Sequence, residues 1–349
     1  MPKCDRRCPA EAKITLAYGP HHYCAEHFTG FFERRVTKTV RKFRLFKCGE
    51  KIGLGVSGGK DSLCLAYLLG KHYAKSNELL ALMIDEGIEG YRDVALKVAK
   101  KYCDEWKIPY EVVKLKDWFG YSTTEVVHKI NARPSIGSSC AFCGSFRRTV
   151  MNEWARAQGC DKFATGHNLD DEAQSVLMNV FANQMAKMAW LGPTAGNEGF
   201  TGDGLFVKRV KPLYECPEKE IIAFDAFKGI EHYSEECCPF SWMAKRNHVR
   251  EMLNNLEDQF PGTKFSIVKW LQELKPHLKD VKVEGKLGAC AECGGPSNAR
   301  VCRPCAMVKI LDAVTPGQGQ VGGPKKAPAA KRGELTCVDT KGLKRKEFV

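Results

Sequence analysis

No stretch of this chain approaches the length of a membrane span, and no apolar leader opens it, since Met1-Pro2-Lys3-Cys4 leads straight into charged residues. Neither membrane insertion nor secretion is therefore expected. That makes the 17 cysteines informative. In a short secreted chain they would mean a disulfide scaffold; in 349 residues without a secretory leader they read as metal ligands, reactive thiols and small buried apolar groups in a reducing cytoplasm. Acidic charge is also in short supply: 41 Asp and Glu stand against 54 Lys and Arg, a net charge of +13. A basic surface attracts phosphate backbones and makes their binding salt-dependent. Missing too is the kinase-type phosphate loop, which needs Gly, four residues and then Gly-Lys-Ser/Thr.

In its place stands Ser57-Gly58-Gly59-Lys60-Asp61-Ser62, directly after the apolar run from Lys51 to Val56. Strand, glycine turn and amphipathic helix from Asp61 to Leu69 make an anion site, in which backbone N–H groups and the positive helix end face phosphate oxygens and Lys60 adds a full charge. Asp61 offers a carboxylate for Mg²⁺, and Ser62 a hydroxyl for the backbone or a phosphate. About a hundred residues on, Thr165-Gly166-His167-Asn168-Leu169-Asp170-Asp171 brings carboxylates towards the same end of the sheet. Asp171 is the expected ATP- or metal-orienting carboxylate and Asp170 the expected helix cap.

Apolar runs at Ile52–Val56, Leu79–Asp85, Tyr110–Leu115 and Lys162–Thr165 alternate with helical periods from Asp61, from Tyr91 to Lys107 and from about Phe146 to Gln158. This alternation predicts an α/β fold with a parallel, Rossmann-like sheet and ligands beyond the strands' carboxyl ends, where Asp85, Gly166 and Asp171 lie. The organisation expected is a zinc finger over 1–30, a basic amphipathic helix over 31–48, an ATP-binding domain over 49–235, a helical segment over 236–285, a zinc ribbon over 286–312 and a basic, disordered tail over 313–349. In the basic helix, Arg34, Arg35, Lys38, Arg41, Lys42, Arg44 and Lys47 interleave with Phe31, Phe32, Phe43 and Phe46. It reads as an RNA-backbone contact, the alternative being a solvated face over a packed one.

Three cysteine sets remain. Cys290-x-x-Cys293 with Cys302-x-x-Cys305 is a zinc-ribbon pattern, a closed tetrahedral site that stabilises folding and leaves no open position. Cys4, Cys8, Cys24 and His27 offer a second zinc set, with His21 or His22 as possible substitutes. Cys140-Ala141-Phe142-Cys143-Gly144, with Cys238-Pro239 further on, suits a [4Fe–4S] cluster with one open iron, a zinc site completed elsewhere, or a redox thiol pair.

The phosphate loop, the TGHNLDD segment and these cysteines together resemble the PP-loop ATP pyrophosphatases, within them the tRNA 2-thiolation group that includes TtuA and TtcA, over roughly residues 4 to 305. The resemblance implies adenylation of the uridine C2 oxygen by ATP, release of pyrophosphate, and replacement of that oxygen by sulfur through the cluster. It favours the cluster at Cys140, Cys143 and Cys238, prefers Cys238 over Cys237 from Pro239 and the spacing to Ala244-Lys245, and places a basic active-site residue at Arg147. The implied nucleotide site comprises Gly55, Ser57, Gly58, Gly59, Lys60, Asp61, Ser62, Ile84, Gly166 and Asp171, with Lys60, Asp61, Arg147 and Asp171 as catalytic groups. Expected cofactors are ATP, Mg²⁺, one [4Fe–4S] cluster and two structural Zn²⁺; expected partners are tRNA, a ubiquitin-like thiocarboxylate carrier or sulfide as sulfur donor, and a second copy of the chain. The segment from Asp85 to Asp93 resembles the archaeal and eukaryotic branch acting on the wobble uridine, position 34, more than the branch acting on position 54. The alternatives are action at position 54 or a non-catalytic zinc and RNA-binding module with a regulatory nucleotide site.

Overall fold

The computed structural model describes residues 2–19, 21–195, 205–233, 238–240, 244–278 and 288–314. In chain order the elements are β1 (Ile14–Leu16), β2 (His21–Tyr23), α1 (Ala25–Lys42), β3 (Lys51–Gly55), α2 (Lys60–Tyr73), β4 (Glu78–Asp85), α3 (Arg92–Glu105), β5 (Tyr110–Lys114), α4 (Leu115–Phe119), α5 (Thr123–Ala132), α6 (Ser139–Ala157), β6 (Lys162–Ala164), α7 (Leu169–Phe181), α8 (Met185–Ala189), β7 (Thr194–Ala195), β8 (Lys208–Val210), α9 (Glu218–Lys228), α10 (Lys245–Gln259), α11 (Thr263–Leu274), β9 (Gly288–Ala289), β10 (Pro296–Ser297) and α12 (Arg303–Asp312).

The central sheet has strand order β5-β4-β3-β6-β8-β7, parallel except for β7, which pairs antiparallel with β8. The predicted α/β architecture is borne out. Strands β7 and β8 are too brief to show a strand period in the sequence, and tertiary pairing alone defines them. From β3 the chain crosses to β4 and β5 on one side, then returns to β6 on the other. Where the strand order reverses in this way, adjacent loops diverge and leave a crevice at the carboxyl ends of the strands.

Helix α2 follows the crevice and is buried nearly all round, from Ser62 to Leu69. On the opposite side α6 buries Phe142, Phe146, Val150 and Trp154, a spacing of four that keeps one face inward. Helix α12 adds Met307 and Leu311 to the same apolar cluster as Phe142 and Phe146. Helices α10 and α11 pack on α7 through Val249, Leu253 and Val268.

The structure corrects several expectations about elements. The basic helix runs from Ala25 to Lys42 rather than from about 31 to 48, so the boundary drawn at residue 30 falls inside α1. Its apolar face, with Phe28, Phe32, Val36 and Val40, packs into the main core, and Arg35 turns inward to pair with Glu220 at 2.7 Å. The helix expected from about Phe146 begins at Ser139 instead, so Cys140 and Cys143 lie within α6, and the stretch before it holds the helices α4 and α5. A Ser122–Glu125 capping box starts α5. Among the described residues no helix is long and apolar enough to cross a membrane. The expected tail from 315 onward and Cys237 lie outside the described residues.

Candidate active site

At the β3/β6 reversal lies a cavity of about 320 Å³. Gly55, Ser57, Gly59, Asp61, Ser62, Ile84, Gly166 and Asp171 line it, together with Arg147. The predicted phosphate loop, TGHNLDD segment and arginine thus share one crevice. Gly58 and Lys60 are absent from the lining, and so is Asp85, whose carboxylate turns back to accept from the Gly87 N–H at 2.8 Å. A larger groove of about 830 Å³ between α7 and α11 carries no ionisable side chain and cannot perform acid–base or phosphate chemistry.

The loop between β3 and α2 is held by its own hydroxyls. Ser62 Oγ accepts from the Ser57 N–H at 3.0 Å and donates to the Gly59 carbonyl at 2.9 Å. Gly58 adopts a φ of +84°, and a Cβ there would stand 2.1 Å from the Ala95 carbonyl oxygen, so only glycine fits. A Cβ on Gly166 would press the Asp61 backbone at 2.9 Å, which explains how closely the two motifs approach. Asn168 donates to Asp61 Oδ1 at 2.8 Å and ties the second motif to the first.

Lys60 is engaged by Glu218 at 2.7 Å and by Asp61 at 3.1 Å. Burial would lower its ammonium, but the two carboxylates win and hold it above the ordinary lysine value. Burial also pushes the Asp61 carboxyl up to about 6; Lys60 opposes this, while Asp171 and Glu218 add to it. Asp171 reaches Arg246 at 3.2 Å and closes a capping box with Asn168, which is the N-cap of α7. Asp170 is therefore not the cap of its own helix. It is buried, pairs with Lys264, and accepts from the Glu218 N–H that opens α9.

Sequence reasoning missed Glu86, Arg92, His167 and Arg209, all of which line the cavity. Glu86, 7% exposed, pairs with Arg92 at 2.6 Å and Arg147 at 3.5 Å. Arg92 also donates to the Ile84 and Ser57 carbonyls, at 2.7 and 2.8 Å, bracing the strand end and the phosphate loop together. His167 shares a hydrogen bond of 2.8 Å with Thr165. Its imidazole is lowered to about 4, first by burial and then by Lys211, Arg209 and Arg246 against Asp171, so it is neutral near pH 7. His167 stood inside a motif that signalled the site; Glu86 and Arg209 carried no signal short of the fold.

Cys140 and Cys143 occupy the first turn of α6, three residues apart and hence on one face. The Cys238 thiol is raised by burial, and both of those thiols raise it further against a Phe240 backbone contact, which puts the three in one neighbourhood. Arg147 joins this neighbourhood to the cavity: burial would lower it, but the charges of Cys143, Glu86 and Cys238 raise it. The terminal sets are tighter. Cys4, Cys8, Cys24 and His27 bring their ligand atoms within 4.8 Å of one another, as do Cys290, Cys293, Cys302 and Cys305, and among the described residues only these two sets close so far. Four such atoms fit a single tetrahedral ion. Cys290 takes N–H groups from Cys302 at 3.2 Å and Glu292 at 3.4 Å, and backbone N–H groups from Cys302, Cys293 and Glu292 lower its thiol to about 6, as suits a thiolate ligand. The internal trio does not close on one point. Three thiols with no fourth ligand grouped beside them among the described residues leave a zinc site incomplete, whereas three suffice for a cluster with one open iron, so the donor set fits a three-cysteine cluster better than zinc.

A parallel sheet with a short glycine loop at its reversal point is the frame of a PP-loop nucleotide-binding protein, and a family profile described as a PP-loop domain matches residues 29–257. The chain is 37% identical to a tRNA-5-methyluridine(54) 2-sulfurtransferase from Pyrococcus horikoshii, over 85% of this chain and 91% of that protein. It is 32% identical to the cytoplasmic tRNA 2-thiolation protein 1 of Drosophila melanogaster over 99% of each chain. The solved structure of the U34-tRNA thiolase NcsA from Methanococcus maripaludis with its [4Fe-4S] cluster superposes with a TM-score of 0.74 at 36% identity, covering 88% of this chain and 96% of that one. The chain belongs to the PP-loop family, in its tRNA 2-thiolation branch.

Proposed function

We propose that this chain is a tRNA-uridine 2-sulfurtransferase acting at the wobble uridine, position 34, with cleavage of ATP to AMP and pyrophosphate. The observation that carries this reading is Arg147, which lines the nucleotide cavity and at the same time neighbours Cys143 and Cys238. One residue thus spans the two half-sites that adenylation and sulfur delivery need.

The C2 oxygen of uracil is a poor leaving group until its attack on the α-phosphorus of ATP makes it a phosphate ester. The Gly59 turn at the start of α2 supplies N–H groups for the departing pyrophosphate. Lys60 exchanges Glu218 for phosphate, and Asp61 and Asp171 are the carboxylates that would hold Mg²⁺, which would supply charge neutralisation on the leaving group. Sulfur then displaces AMP at C2, with Arg147 stabilising the negative charge that develops there. Cys140, Cys143 and Cys238 are the residues that would hold a [4Fe–4S] cluster, which would supply an open iron position for sulfur. His167, neutral at pH 7, is able to relay a proton at the cavity wall. The two terminal sets hold structural Zn²⁺. The sulfur donor is a thiocarboxylate carrier or sulfide, and the chain works as a homodimer in the reducing cytoplasm, in keeping with the cytoplasmic name of its Drosophila relative.

Position 34 is favoured by the solved relative, a U34-tRNA thiolase, whereas the name of the Pyrococcus relative specifies position 54. The experiment is an anaerobic reaction of cluster-reconstituted protein with ATP, Mg²⁺, sulfide and unmodified tRNA, followed by digestion and fragment mass spectrometry. Sulfur on the fragment carrying position 34 is expected. Sulfur at 54 reassigns the target, and sulfur on no fragment rejects the enzyme.

A further inference from the structure

Two arginines from different elements line the cavity without a carboxylate of their own, and a third, on a helix packed against the first one's helix, is near enough for its charge to act there. Arg148 follows Arg147 on α6, Arg209 lies on β8, and Arg303 opens α12 directly after the metal-set residue Cys302. Arg148 and Arg209 line the cavity wall. Among the described residues none of the three has an ion pair. Glu172 attracts Arg209 but is already held by Lys211 at 2.5 Å, and Glu86 is taken by Arg92 and Arg147. The Arg148 guanidinium instead lies over bare backbone, 3.3 Å from where a Gly144 Cβ would be.

Like charges brought together in a partly buried place destabilise one another unless an anion sits among them. The strain is visible at Arg148, which is lowered from the ordinary arginine value by burial and then by Arg209, Arg147 and Arg303. The nucleotide's own phosphates have a seat elsewhere, at the β3–α2 turn. Position also matters. Helix α12 is fixed to α6 by Met307 and Leu311 in the cluster that contains Phe142 and Phe146, and Lys129 donates to the Leu311 and Val314 carbonyls at its end, at 2.8 and 2.9 Å. The packing of α12 on α6 therefore sets the place of Arg303, one residue after Cys302, relative to Arg148.

We propose that Arg303, Arg148 and Arg209 form a seat for a backbone phosphate of the RNA substrate at the mouth of the cavity, with Arg303 brought there by the helix that also carries Cys305 of the C-terminal metal set. Three guanidinium forks suit a phosphodiester better than a point charge would. The seat fixes the strand while the base enters the cavity, and it carries no sequence information of its own. This rests on the reading of the substrate as tRNA.

The test measures binding of unmodified tRNA to the full-length, cluster- and zinc-loaded protein across a salt series, with ATP affinity measured in parallel. Arg303→Ala is expected to weaken RNA binding roughly tenfold at moderate salt and to reduce the slope of log K against log salt by about 0.7 to 0.9, with ATP affinity unchanged. Arg303→Lys keeps the slope while losing part of the affinity. Arg148→Ala, on another element, must reproduce the loss of slope, so that a disturbed metal knuckle in Arg303→Ala cannot imitate the result. An unchanged RNA slope in either alanine variant overturns the seat. A loss in ATP affinity in place of RNA affinity overturns it as well, because the nucleotide's phosphates would then own these arginines. Wild-type protein that fails to bind tRNA at all sinks the proposed function itself, an outcome distinct from both.

Discussion

The terminal and internal cysteine sets are built from the same side chain and do opposite things with it. At each end of the chain four ligand atoms converge to within 4.8 Å, and in the C-terminal set backbone N–H groups donate to a cysteine sulfur. In the interior, Cys140 and Cys143 open a helix beside the cavity, Cys238 comes near them from almost a hundred residues away, and a cavity-lining arginine neighbours them. A closed set consumes its ligands in folding. An incomplete set held beside a cleft keeps coordination capacity for something that comes and goes.

The largest effect should separate the two kinds of set. Cys140→Ser, Cys143→Ser and Cys238→Ser are each expected to abolish tRNA thiolation and strip iron and labile sulfide while leaving the zinc content intact. Cys302→Ser should instead lose one zinc equivalent and loosen α12 from α6. Full thiolation in any of the three internal variants would break the distinction for that residue.

Lys60→Ala divides the interior further. Pyrophosphate release should stop while iron and zinc contents stay at wild-type levels, since the lysine pairs with Glu218 and Asp61 and with no cysteine set. Pyrophosphate release at the wild-type rate would remove Lys60 from the phosphate cradle.

Glu86→Gln examines the joint between the cavity and the internal set. Removing this carboxylate leaves Arg92 and Arg147 uncompensated, Arg92 in a buried place, and should destabilise the protein by about 3 kcal/mol in denaturant unfolding. A loss within error of zero would mean that Arg92's two carbonyl contacts hold the joint alone.

The smallest expected effect is on pH dependence. Asp61 is raised to about 6 in the folded chain, above its unfolded value near 3.9, so its protonated form is the one folding favours. Its contribution to stability is complete below about pH 4 and is lost as pH rises through about 6. Mg²⁺ needs the ionised form, so Mg–ATP affinity should climb across the same interval, and Asp61→Asn should flatten both curves. A wild-type stability curve that is flat between those limits contradicts the burial of this carboxyl.

The motifs were legible because backbone chemistry spells them locally. Ser57 to Ser62 needs a glycine turn between strand and helix, and the terminal Cys-x-x-Cys pairs need only the reach of a knuckle. Local reasoning failed where a partner came from afar. Asp170 looked like a cap, yet Lys264 and the start of α9 claim it, and Asn168 caps the helix instead. Arg35 belonged to a basic run, yet Glu220 draws it inward.

The residue order alone determined the α/β alternation, the phosphate loop and the donor sets, since periodicity, turn chemistry and ligand spacing act over a few residues. Only the tertiary structure decided which charges meet. The pairing of Glu86 with Arg92 and Arg147, the tie from Asn168 to Asp61, and the gathering of Arg148, Arg209 and Arg303 all depend on strand order and on how α12 docks against α6. Electrostatic partnership is a matter of distance in space, and folding sets that distance without regard to separation along the chain.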